Sequence, residues 1–285
     1  MQEIANKVFI EDSFPGVILG AISTPRGLVQ IDAPPSTEDS RAWRASLMNV
    51  GAGSDRVLVN LDSHPDRTLG ARAMDCTIIA HEKTAEVFRN RPNTFKAQGD
   101  ETGANWESIP GLGSVRWAPP EISFTNTMTL HWSDNPIQFE HRPGPTAGAI
   151  WVILPVEKIV FVGDLVLRNQ PPFLSNCDLP AWIDSLKILM GNEYKGFNII
   201  SGRGGSVQAQ VVKTQLDTIK HIHDRLEKMA ARNASPEATE KLVEGLVSGY
   251  KAPAAKQKHF AQRLRYGLLH YYIRHYRPTN NFQEE

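Results

Sequence analysis

Short apolar runs broken by glycine and proline alternate with segments of helical period along the front of the chain. Residues 17–22 (VILGAI) and 28–31 (LVQI) read as strands, separated by a turn at 25–27 and ending in Asp32. Residues 37–50 read as a helix. Ser36 or Thr37 caps it, Glu38 and Asp39 suit its first turn, and Trp43, Leu47 and Val50 share one face. Residues 56–61 (RVLVNL) and 77–80 (TIIA) are strand-length apolar runs, and 82–89 return to helical period.

The middle changes character. Residues 90–121 are rich in Gly, Pro and Asn and carry little periodicity, as expected of a long irregular connection. Residues 128–132 with 137–141, and 149–154 with 159–162, read as two strand pairs about polar turns. From residue 179 the pattern is mostly helical. Residues 180–190 place Trp182, Leu186 and Leu189 on one side, and 197–200 form one more buried strand. Residues 208–231 carry a stripe of Val211, Leu216, Ile219, Ile222 and Leu226, and 236–247 and 255–274 are two further helices. Strands with interspersed helices, a second antiparallel set, then closing helices predict an α/β fold. The expected form is a four-layer αββα sandwich of two mixed β-sheets. The expected division is a main domain over 1–235 and a C-terminal helical extension over 236–285 packed on it.

Composition narrows the function. Lys and Arg equal Asp and Glu in number, for a formal net charge of zero. That removes the electrostatic footprint of nucleic-acid binding or of an anionic membrane surface. Cys76 and Cys177 make no metal-knuckle spacing and read as free thiols. Residues 1–9 show no basic stretch followed by an apolar one, and no run approaches the ~20 residues that cross a bilayer, so a cytoplasmic location is expected. The helix at 255–274 is basic and aromatic, a pattern that suits a packed helix or a homodimer face.

Four stretches stand in order between strands and helices: 58–70 (LVNLDSHPDRTLG), 144–148 (GPTAG), 159–167 (IVFVGDLVL) and 200–204 (ISGRG). Together they resemble the signature segments of the metallo-β-lactamase fold: H-x-H-x-D-H, G-H-T-x-G before a strand, a strand-end G-D, and P-G-H-G before a long helix. The resemblance spans residues 17–226. It implies the sandwich already expected, and hydrolysis wherever the chain is an enzyme. In that family imidazoles and carboxylates hold two zinc ions about a bridging water, lowering its pKa for attack on a carbonyl or phosphoryl centre.

Carried across position by position, the resemblance implies a rewritten site. Asp62 stands for the first His, His64 and Asp66 are retained, and Arg67 stands for the next His. Pro145 replaces the His of G-H-T-x-G, Asp164 is the retained bridging carboxylate, and Arg203 replaces the His of P-G-H-G. Proline offers no side-chain donor atom and arginine no lone pair. A standard di-zinc centre is therefore not expected. Asp62, Asp66 and Asp164 would crowd together, and such carboxylates need a counter-charge. Arg67 and Arg203 are placed to supply it, which predicts buried Arg–Asp contacts where metal would sit.

Three functions stay open on the sequence, and whether the chain is an enzyme stays open with them. The first is a metal-free pseudoenzyme, serving as a binding or scaffold module for a small molecule or a partner protein. The second is a hydrolase with one divalent metal (Mn, Fe or Zn) on Asp62, His64, Asp66 and Asp164, with Asp66 as general base and His141 compensating for Pro145. The third is a small-anion site on Arg67 and Arg203. The expected pocket residues are Asp62, His64, Asp66, Arg67, Asp164 and Arg203.

Overall fold

The computed structural model describes residues 1–51, 53–92, 94–95 and 102–277. Two mixed sheets face each other with helices on both outer surfaces. The first sheet has the order β1 (Gln2–Ala5), β2 (Val8–Glu11), β3 (Leu19–Ser23), β4 (Gly27–Ile31), β5 (Asp55–Val59), β6 (Thr77–His81) and β7 (Ile122–Phe124). Its pairs run antiparallel as far as β4 and parallel from β4 to β7. The second sheet comprises β8 (Thr127–Leu130), β9 (Ile137–His141), β10 (Ile150–Leu154), β11 (Ile159–Leu167), β12 (Asn198–Arg203) and β13 (Gly205–Val207), in the order 13-12-11-10-9-8. Only its β11–β12 pair is parallel.

Alternation along the strands builds the layers. Ile10, Ile22, Val29, Ile31, Val57 and Val59 meet Phe139, Ile150, Val152, Phe161 and Ile200 between the sheets. The opposite faces are covered by helices. On the first sheet, α1 (Thr37–Ser46) brings Trp43, with Leu47 just beyond its end, against Leu19, Leu28 and Leu58. Nearby lie the short α2 (Pro65–Thr68) and then α3 (Glu82–Asn90). On the second sheet, α4 (Leu179–Leu189), α5 (Ala209–Ala231), α6 (Glu240–Val247) and α7 (Ala254–Tyr276) share one core with β11, which includes Trp182, Ile219, Val243, Leu264 and Tyr272. Side chains of the C-terminal helices thus lie in the same cluster as the second sheet. No helix of the described residues is long and apolar enough to cross a membrane.

Several elements differ from the pattern reading. The hairpin β1–β2 was not expected; its turn at Asn6–Lys7, with Lys7 at φ 61°, gives too short a pattern to register. The first helix stops at Ser46 rather than residue 50, and the segment from 236 begins as a 3₁₀ turn, so α6 starts only at Glu240. On α5 the buried position is Val212, with Gln215 beside it, while Val211 is only partly buried. The irregular connection expected over 90–121 lies partly outside the described residues. Its described part folds on an aromatic cluster of Phe95, Trp106 and Trp117 with Phe88.

Candidate functional site

Strand ends, and the middle of β11, carry the side chains in question. After β5, Asp62 Oδ1 accepts from His64 N at 2.8 Å, turning the chain into α2. His64 is the N-cap of α2 and Pro65 its first residue, where a missing N–H costs nothing. Asp66 and Arg67 follow within that one turn, both buried. Asp164 comes from the middle of β11, just after Gly163, whose φ of 57° accompanies a break in the register with β12. Arg203 ends β12 at the tight turn into β13, where Gly205 takes φ 65°. Asp32 follows β4 at φ 59° and is wholly buried.

These residues meet as one ion network. Arg67 Nη1 donates to Asp32 Oδ2 at 2.8 Å, its Nη2 donates to Asp164 Oδ1, and its Nε lies 3.1 Å from Asp62 Oδ1 as an ion pair. Arg203 Nε donates to both oxygens of Asp164 at 3.0 Å, and its Nη1 to Asp66 Oδ2 at 2.7 Å. The second oxygen of Asp66 accepts from Trp106 N at 2.7 Å, and Leu61 N donates to Asp32 Oδ1 at 2.9 Å. Arg67 is 0% exposed and Arg203 4%, with Asp62, Asp66 and Asp164 at 3% or less. His64, at the edge, has 14% of its side chain exposed and lies 4.5 Å from the Phe173 ring.

Backbone glycines make the slot for Arg67. A Cβ on Gly202 would stand 2.9 Å from Arg67 Nη2 and 3.0 Å from Nη1, and one on Gly163 would stand 3.3 Å from Nη1. The glycines of the G-D and ISGRG segments thus let two backbones close on a planar guanidinium.

Burial and sharing set the protonation of the network. Burial raises Asp32, and the single charge of Arg67, divided among three carboxylates, leaves it at about 7. Burial raises Asp62 as well, against the pull of Arg67. Burial would also raise Asp164, but Arg203 and Arg67 together hold it well below the usual carboxylate range. Arg67 and Arg203 stay charged, because the carboxylates around them outweigh burial. Burial and the charge of Arg203 keep His64 neutral. Its Nδ1 faces two donors, Asp66 N at 3.4 Å and Arg203 Nη2 at 3.0 Å, so the ring proton sits on Nε2. The 3.5 Å approach of His64 to Asp66 is therefore not an ion pair.

The surroundings of Pro145 and His141 complete the picture. Pro145 is buried and brings no donor. His141 does not compensate for it. Its ring stacks on His81 at 3.7 Å, and its Nε2 bonds Ala147 O at 2.8 Å. His81 in turn caps α3 and bonds Thr125 O. The third expectation, an anion site on Arg67 and Arg203, meets two guanidiniums that already face carboxylates. Phe173, Trp106 and Arg263 join the surroundings of the network without any motif to mark them.

The model of the metallo-beta-lactamase superfamily matches residues 63–195. A metallo-beta-lactamase from Pontibacter korlensis superposes with a TM-score of 0.60 at 20% identity, over 77% of this chain and 97% of that one. The chain has the metallo-β-lactamase fold. A second such enzyme, from Erythrobacter litoralis, gives a TM-score of 0.55 at 17% identity over 77% and 95%. The inverting sec-alkylsulfatase Pisa1 from Pseudomonas sp. gives 0.69 at 13% identity, over 98% of this chain and 50% of that one. This chain therefore spans about half the length of the sulfatase. No protein of curated function matches the chain in sequence.

Zinc is the usual metal of this fold, and the residues here do not fit it as placed. A metal needs lone pairs pointing at a common centre. Here guanidinium N–H groups stand between the carboxylates and point at those lone pairs. The lone pair of His64 Nδ1 is likewise directed at Arg203. Among the described residues, no three His, Cys, Asp or Glu side chains are grouped to hold a metal ion.

Proposed function

We propose that this metallo-β-lactamase-fold protein is a metal-free member that acts as a binding or scaffold module. Arg67 and Arg203 take the electrostatic place of the metals. One observation carries the reading: Arg67, with no exposed surface, lies among Asp32, Asp62 and Asp164 in a slot that Gly163 and Gly202 leave open for it. A buried guanidinium bonded to carboxylates neutralises them and fills the space in which an attacking water would be activated. The partner on this reading is a small molecule or a protein.

The convergence of His64, Asp66 and Asp164 on the single guanidinium of Arg203 supports a second reading. If Arg203 swung out, those three groups, with Asp62 beside Asp164 on Arg67, would offer one nitrogen and several oxygens to a divalent ion (Mn, Fe or Zn). On that reading the chain is a hydrolase in which Asp66 serves as base.

Metal content decides between them. The protein is purified without chelator, incubated separately with Zn, Mn and Fe, desalted, and measured by mass spectrometry. The metal-free reading expects background levels for all three. About one tightly held metal per chain, lost on Asp164→Ala, would overturn it and favour the hydrolase.

A further inference from the structure

The C-terminal helix sends a third guanidinium to the network. Along α7 the buried positions are Phe260, Arg263, Leu264, Gly267, Leu268, Tyr271 and Tyr272, a helical stripe in which Arg263 is the one charged member. Arg263 is 1% exposed. A buried, unpaired cation is costly, so its partners matter. Its hydrogen bonds run to neutral oxygens: Nε to Gly103 O at 2.9 Å, Nη1 to Gln170 Oε1 at 2.9 Å and Pro171 O at 3.2 Å, and Nη2 to Asn105 Oδ1 at 3.1 Å.

Two of these partners lead straight to the ion network. Gln170 Nε2 donates to the carbonyl of Arg203 at 3.2 Å. Asn105 precedes Trp106, whose N–H bonds Asp66. Arg203 and Asp66 are themselves paired, so Arg263, Gln170, Arg203, Asp66 and the 105–106 turn form a closed ring. Phe173 joins the two cations directly, with its ring 4.4 Å from Arg203 Cζ and 3.9 Å from Arg263 Cζ. The fit is close, since a Cβ on Gly103 would lie 2.6 Å from Arg263 N.

A third cation also brings the charge count closer to even. Asp32, Asp62, Asp66 and Asp164 are four buried acids, and Arg67 and Arg203 answer two of them. Two zinc ions with a bridging hydroxide carry three net positive charges, and Arg67, Arg203 and Arg263 carry the same three. We propose that Arg263 is the third cation of this rewritten site, a positioning residue through which the C-terminal helix holds the Arg203–Asp66 pair. Burial is the largest influence on its charge and opposes it, as does Arg203, while Asp66, Asp164 and Glu107 attract it; the balance lowers its pKa to about 9, which leaves it charged near pH 7. The proposal rests on the metal-free reading above.

The test is a double-mutant cycle, with denaturant midpoints measured on the full chain at one pH. The variants are Arg263→Gln, Arg263→Lys, Asp66→Asn and the Arg263→Gln/Asp66→Asn pair. A charge role predicts that the double variant loses less in midpoint than the two single losses added. It also predicts that Arg263→Lys recovers a good part of what Arg263→Gln loses. Additive losses, with lysine no better than glutamine, would overturn the proposal and leave Arg263 as a peg for the 103–105 turn. If Arg263→Gln does not fold, NMR exchange of the Arg203 Nε–H in Gln170→Leu, which removes the bridge from Arg263 to the Arg203 carbonyl, gives a second readout. The expected result is at least about tenfold faster exchange than in the unmodified protein, from a loosened pair; an unchanged rate rejects the positioning role. Metal found in the unmodified protein would remove the underlying reading whatever the cycle shows. Additive losses in metal-free protein would remove only the role of Arg263.

Discussion

Replacing Arg67 with alanine strips the guanidinium that faces both Asp32 and Asp62, while Asp164 keeps Arg203. Breaking a single buried pair costs about 3–5 kcal/mol, because a charge is left without a partner away from water. Here two carboxylates lose theirs. They take up protons rather than stay charged, which limits the loss. We expect the upper end of that range, about 5 kcal/mol, against a total domain stability of about 5–15 kcal/mol. Arg26→Ala is the control. Its ion pair with Asp55 is as short, at 2.6 Å, but 62% and 42% of the two side chains are exposed, so about 0–1 kcal/mol is expected. The sign with pH follows from linkage. In Arg67→Ala the folded state binds protons on Asp32 and Asp62 that the unfolded state has shed above about pH 4, so stability falls as pH rises. Urea unfolding at about pH 5.5 and pH 8 therefore should show the larger loss at pH 8. A loss within about 1 kcal/mol of the control at both pH values would refute the reasoning.

Two further predictions concern the same slot. Asp32, raised to about 7, binds a proton in the folded state between about pH 4 and 7 that the unfolded chain has lost, so this residue lowers stability as pH rises through that window. His64 acts in the opposite sense: held neutral, it raises stability as pH climbs towards about 6.5. Asp32→Asn removes only the first effect and, as asparagine tolerates the positive φ, should make stability rise more steeply with pH; an unchanged slope in pH-dependent unfolding rejects the assignment. Gly202→Ala places a methyl 2.9 Å from Arg67 Nη2, and should cost about 1–3 kcal/mol in denaturant unfolding; a neutral result would mean that the slot is not close-fitting.

Much of the sandwich could be read in the chain because its strands are short apolar runs and its helices carry wide stripes. The long apolar run from Ile159 and the stripe through Ile219 and Ile222 signal burial on their own. Hairpins of three or four residues, such as β1–β2, carry too few positions for a pattern. At the site, the ordered motifs were enough to bring Asp62, His64, Asp66, Arg67, Asp164 and Arg203 into consideration. What they could not give was the pairing. Asp32 follows an apolar strand and carries no sign that Arg67 will reach it from thirty-five positions later. His141 looked available because it is near Pro145 in sequence, yet strand direction turns it onto His81. In sequence Arg263 is one of several basic residues on a basic, aromatic helix, and nothing local tells which oxygens lie opposite. Long-range pairing depends on how two sheets and a distant helix come together, and sequence spacing does not encode that distance.

The most direct test of the central claim is anomalous X-ray diffraction at the zinc edge, on crystals grown with excess zinc. The account predicts guanidinium density for Arg67 and Arg203 bonded to Asp164, with no anomalous peak within reach of its carboxylate. A zinc peak among Asp62, Asp66 and Asp164, with either arginine displaced, would contradict it.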